Sequence, residues 1–159
     1  MRYKISRYRI VTMTFLLLSI LPRPVHAERP GCDDPSALFA EGKVDHLETW
    51  QQIYDWFKSY SACDDGILGE ANSDAVVRML AGQWEQLPAL RTLVDRDERF
   101  GKFVFMHIDA TTDDHDLDRL VANASRHCPK GDGQLCSTIR RRAVAARSQQ
   151  DEIYPPRGH

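Results

Sequence analysis

No stretch of these 159 residues carries the ~20 apolar residues that a membrane-spanning helix requires. There is no glycine-rich phosphate loop, no HExxH zinc helix, no GxSxG elbow and no dinucleotide fingerprint, which removes the commonest motif-borne chemistries. Strand signals are equally scarce. The one run of strand formers, Phe103-Val104-Phe105-Met106, has no second run to pair with, so it is read as helix. Cysteine is limited to four residues, Cys32, Cys63, Cys128 and Cys136. They lack the spacing of about two to four residues that paired zinc ligands show, and no metal or other cofactor is expected.

What is present begins with an export signal. Arg2, Lys4, Arg7 and Arg9 form a basic start without acids, and Ile10 to Leu21 is apolar apart from Thr12, Thr14 and Ser19. Pro22, Pro24 and the small-x-small Val25-His26-Ala27 follow. This is the pattern of a signal peptide over residues 1–27, with cleavage expected after Ala27. The expected destination is the periplasm or the exterior, without stable membrane insertion. The leader holds five of the 21 Lys and Arg and none of the 23 Asp and Glu. The remainder therefore has 16 bases against 23 acids, a formal charge of −7. That charge disfavours nucleic acid and raises the encounter rate with a basic protein. An even cysteine count in an exported chain points to two disulfides. Of three connectivities, the local pairs Cys32–Cys63 and Cys128–Cys136 are preferred.

Apolar residues then recur at helical intervals. Val44, Leu47, Trp50, Tyr54 and Phe57, widened by Ile53, predict a helix from about Val44 to Ser61. Before it, Asp33-Asp34-Pro35 leading to Ala40 predicts a helical turn. Asp64-Asp65-Gly66 to Gly69 reads as a turn, with Asn72 or Ser73 capping the next helix ahead of Val76, Val77, Leu80 and Trp84. Leu87-Pro88 opens another, bearing Leu90, Leu93 and Val94. Phe100, Phe103, Val104 and His107 follow a turn at Asp95-Arg96-Asp97. Thr112 or Asp113 caps a helix with Leu117, Leu120, Val121, Ala124 and Cys128 on one face. A last helix runs from about Gln134 to Arg147, and residues 148–159 read as a flexible tail. The fold class is all-α: one compact bundle of five or six short helices over residues 28–147, stapled by two disulfides.

Few residues suggest chemistry. Asp109, Asp113, Asp114, Asp116 and Asp118 form an acidic run around His115. A calcium loop needs a turn glycine and a distal bidentate glutamate; the run has neither, and helix capping accounts for it. His107 shares a face with Phe100, Phe103 and Val104, which suggests a buried histidine. With Asp109 it would be half of an acid–base pair that lacks a third partner. His127 sits where a cation suits a helix end. Trp56 falls off the main stripe of its helix. Trp56 and Tyr60 are therefore expected on an exposed face, as are Arg140 and Arg141, and these four are the candidate protein contacts.

A small helical exported domain with Cys32, Cys63, Cys128 and Cys136 resembles, in layout, the periplasmic immunity proteins that protect bacteria from type VI secretion amidase effectors. The likeness spans roughly residues 28–147 and rests on no diagnostic motif. The segment Ser73 to Leu80, with Phe103-Val104 and His107 to Thr111 after it, looks like a pattern of small exported proteobacterial proteins. The resemblance implies a non-enzymatic protein that occludes a partner such as a cell-wall hydrolase. The alternatives are a small exported enzyme using His107, Asp109 and His127, or an envelope protein without a discrete site. A homodimer is compatible with either.

Overall fold

The computed structural model describes residues 42–153. The leader, the turn expected at Asp33 to Ala40, Cys32 and residues 154–159 lie outside the described residues. Within them the fold is all-α, with no strand. From Trp50 onward the helices are α1 (Trp50–Tyr60), α2 (Gly66–Gly82), α3 (Leu87–Arg96), α4 (Glu98–Met106), α5 (Asp114–Arg126) and α6 (Gly133–Ile153). Short 3-10 turns, Ser61–Cys63 and Trp84–Gln86, follow α1 and α2.

Capping chemistry sets most of the boundaries. The Thr49 hydroxyl accepts from the Gln52 amide at 3.2 Å, and the Gln52 side chain accepts from the Glu48 amide at 2.9 Å. This reciprocal cap starts α1 at Trp50 rather than at Val44. Residues 42–44 form a separate helical stretch ahead of α1, and Val44 and Leu47 are both buried. Asp65 caps α2 by accepting from Gly66 N at 2.8 Å, and Gly66 takes a φ of 52° that only glycine adopts freely. The helix therefore begins within the stretch read as a turn, and Asn72 and Ser73 are interior residues instead of caps. Ser73 is tolerated there because its hydroxyl donates back to Gly69 O at 3.1 Å.

Pro88 lies in the first turn of α3, where its missing N–H costs nothing. Asp97 accepts from Arg99 N at 3.0 Å and opens α4, so Phe103 to Met106 is helical. The helices α3 and α4 approach closely at Gly101: a Cβ there would meet Val94 Cγ1 at 2.9 Å. Asp113, not Thr112, caps α5 through His115 N at 2.9 Å.

The last helix runs six residues past Arg147 to Ile153, so the start of the expected tail is ordered structure. Gln150 explains this. Its side-chain amide donates to Ala110 O at 3.1 Å and to Thr112 O, tying the end of α6 to the α4–α5 loop. The most extensive helix pairing is α5 with α6. Cys128–Cys136 joins these helices across the turn between them, as the local pairing anticipated. No described cysteine is a free thiol. Cys63 is buried, and its expected partner Cys32 lies outside the described residues.

The core is aromatic at one end. Tyr54 meets Phe100 edge-on at 5.0 Å between centroids, Phe57 meets Phe103 at 5.1 Å, and Trp56 meets Phe103 at 6.2 Å. Such pairs contribute ~0.5–1.5 kcal/mol beyond area burial. Trp56 corrects the sequence reading: it is 4% exposed. The reason is that α1 packs against α2, α3 and α4 together, so a second face of the helix is covered as well as the main stripe. Among the described residues no helix is long and apolar enough to cross a membrane.

Candidate functional site

Four side chains from distant parts of the chain meet at the inner end of α4. Asp64 follows the first 3-10 turn, Ser73 lies two turns into α2, His107 is the C-terminal cap of α4, and Asp109 stands in the α4–α5 loop. The His107 amide bonds to Phe103 O at 3.2 Å, which aims the ring inward. Its ring lies edge-on to Phe103 at 4.4 Å. Asp109 is oriented by its own loop, because one carboxylate oxygen accepts from both the amide and the hydroxyl of Thr111, at 2.8 and 2.6 Å.

The polar contacts form a line. Asp64 Oδ2 is 3.0 Å from His107 Nε2, His107 Nδ1 is 3.0 Å from Ser73 Oγ, and Ser73 Oγ is 3.0 Å from Asp109 Oδ2. Asn72 Nδ2 supports Asp64 Oδ1 at 2.8 Å. His107 and Ser73 are each 4% exposed, and the Asp64 side chain is 6% exposed. Ser73 has a single hydroxyl proton, and Gly69 O, His107 Nδ1 and Asp109 Oδ2 all lie within reach of it. The line gives the buried imidazole a hydrogen-bond partner at each nitrogen, as buried polar groups require.

The order Ser–His–Asp invites comparison with a catalytic triad, but the surroundings of the serine do not suit acyl transfer. Asp109, 3.0 Å from the serine oxygen, would oppose the negative charge of an acyl-transfer transition state. The backbone amides around Ser73 are committed to α2 and offer no oxyanion donors. The cluster can hold α2, α4 and the flanking loops in register.

The structure brings His107 and Asp109 together and supplies the partners the sequence reading lacked, Ser73 and Asp64. His127 stays apart: it is exposed at the end of α5, and its carbonyl accepts from Trp84 Nε1 at 2.8 Å. Tyr60 is half-buried against Trp56, with ring centroids 5.8 Å apart. Arg140 and Arg141 are exposed on α6, where Arg141 donates to Ser137 and Thr138, each at 3.1 Å. The Trp56/Tyr60 pair and the two arginines lie on different helices, α1 and α6. In the acidic run, Asp113 is a cap, and Asp114 and Asp116 occupy the first turn of α5. No group of His, Cys, Asp or Glu among the described residues has metal-binding geometry.

The carboxyls held below their ordinary range lie at the surface. A hydrogen bond from Gln51 lowers Asp55, Arg99 lowers Asp97, and Lys102 lowers Glu98. Arg91 is raised by its hydrogen bond to Asp95. Asp64 and Ser73 were missed because their partners lie 34 to 43 residues away. One signal pointed to them: Asn72 and Ser73 are polar residues on a helix face otherwise made of Leu68, Val76 and Met79. Compared with protein-family models, with curated proteins and with solved structures, the chain matches none.

Proposed function

We propose that this chain is an exported helical protein that works by binding a protein partner, as an inhibitor or immunity protein that covers a cell-wall hydrolase. The observation that carries the reading is the state of the buried Ser–His–Asp set. Every polar atom of the Asp64–His107–Ser73 line that could serve chemistry is used inside the fold. Function then falls to the surface, where a charge of −7 on residues 28–159 favours a basic partner. The reading includes cleavage after Ala27, residence in the periplasm, and a second disulfide between Cys32 and Cys63. Arg140, Arg141 and Tyr60 stay in it as contact residues, and Trp56 becomes their buried support.

The test uses the full chain, tagged at its C-terminus, exported by a proteobacterial host and recovered without reductant. Partners captured from an envelope extract are purified and mixed with it again. The expected result is a stoichiometric complex in light scattering, with the partner's hydrolytic activity suppressed. Recovery of no stoichiometric partner, or of an active hydrolase within the complex, overturns the reading. A second reading, a small hydrolase, has the Ser–His–Asp order in its favour and is tested separately by labelling of Ser73.

A further inference from the structure

An acidic recess of about 180 Å³ opens beside the buried cluster, between the first half of α2 and the start of α5. Its walls include Glu70, Ser73, Asp74, Thr112, Asp113 and Asp116. Two of the four carboxylates are neutralised within the chain, Asp74 by Arg78 and Asp116 by Arg119. Asp113 spends Oδ1 on the α5 cap, with Oδ2 left over. Glu70 is exposed and makes no ion pair among the described residues. The recess therefore has carboxylate oxygens without a counter-charge.

A second, independent observation lies on the same wall. Thr112 is 7% exposed, and its hydroxyl is buried with no hydrogen-bond partner among the described residues. An orphaned buried hydroxyl is costly and calls for a partner. The wall is also firmly placed. Gln150 holds the Thr112 carbonyl, and Ser73 ties the floor to His107 and Asp109. A preformed recess spends little free energy on ordering when it is filled.

The geometry points to this recess as the seat for an arginine side chain of the protein partner, an inference that rests on the partner-binding reading. A guanidinium suits it better than a metal ion. The free acceptors belong to α2, to the α4–α5 loop and to the α5 cap, and no metal-type grouping exists among them. A planar cation with five donors can serve several separated acceptors at once. The excess of acids in the chain would also bring a basic partner toward this face.

The experiment is an NMR titration of the full, disulfide-intact protein with the peptide acetyl-Gly-Arg-Gly-amide. The same peptide with citrulline in place of arginine is the uncharged control. Saturable amide shifts are expected at residues 70–77 and 110–116, with the citrulline peptide bound roughly tenfold more weakly or worse. Glu70→Gln combined with Asp113→Asn, which keeps a capping acceptor, is expected to weaken the arginine peptide by a similar factor. Thr112→Val is expected to weaken it too while leaving the free protein at least as stable.

Shifts scattered over all surface acids would overturn the assignment. So would equal response to citrulline, or saturation of the same residues by calcium chloride. The two levels separate cleanly. A captured partner that binds the Glu70/Asp113 double variant as well as wild type sinks the recess and leaves partner binding standing. A saturable peptide site with no capturable partner does the reverse.

Discussion

Replacing Ser73 with alanine removes the one hydroxyl that joins His107 to Asp109. Two groups lose a partner, His107 Nδ1 and Asp109 Oδ2, each 3.0 Å from Ser73 Oγ. Asp109 is only half-buried and can turn to water, so its loss is small. His107 is 4% exposed and cannot. A buried polar group left unsatisfied costs ~1–3 kcal/mol. Alanine returns up to ~0.5 kcal/mol through its better helix propensity in α2. The net loss is therefore about 1–2.5 kcal/mol, a large share of the ~5–15 kcal/mol that holds a domain of this size. Urea unfolding followed by tryptophan fluorescence reads it as a fall in midpoint of about 1 M at unchanged slope. Asp64→Ala should cost about 1–3 kcal/mol as well, because it leaves His107 Nε2 buried without its partner. Asp64→Asn keeps an acceptor and should fall between wild type and Asp64→Ala. Combining Ser73→Ala with Asp64→Ala should give a sub-additive loss, since both act through one imidazole. A Ser73→Ala midpoint equal to or above that of wild type would refute this account of the cluster.

Three further outcomes follow from other parts of the fold. Gly101→Ala should destabilise by ~0–2 kcal/mol, the overpacking against Val94 outweighing the helix-propensity gain. In a Val94→Ala background the same change should stabilise, and a pair of thermal melts decides it. Opening the Cys128–Cys136 bridge by a double serine substitution should cost about 2.5 kcal/mol, from the closure entropy of its short loop; an unchanged denaturation midpoint would contradict that. Asp97 is held down by Arg99, so its folded value lies below its unfolded one. Its contribution is present above the ordinary carboxylate range and is lost as pH falls through the folded value. Wild type should thus lose stability below about pH 4. Asp97→Asn should lose less over that window, measured as the pH dependence of the urea midpoint.

The helices were legible because each carries an apolar stripe and a cap that act locally. Asp97, Pro88 and Asp113 mark boundaries that the structure keeps. Where the reading failed, a non-local contact had decided the outcome. Trp56 is off the stripe of α1, yet Phe103, far along the chain, covers it. The last helix has no apolar reason to pass Arg147; Gln150 reaching back to Ala110 and Thr112 supplies one. Ser73 has the composition of a cap and the position of a core residue. Only the arrival of His107 and Asp109 beside it explains why a hydroxyl is kept there. His107 and Asp109 were singled out from sequence as an incomplete pair, and their completion by Ser73 and Asp64 depends on the packing of α2 against the end of α4.

Whether the Ser73–His107–Asp64 line is structural or reactive decides between partner binding and hydrolysis, and a single mass measurement addresses it. The native, disulfide-intact protein is incubated with an alkyl fluorophosphonate probe, and its intact mass is recorded before and after. An unchanged mass is predicted, because Ser73 is buried and Asp109 beside its hydroxyl opposes the negative charge that an attacked phosphonate develops. A stoichiometric adduct mapped to Ser73, and lost in His107→Gln, would contradict it.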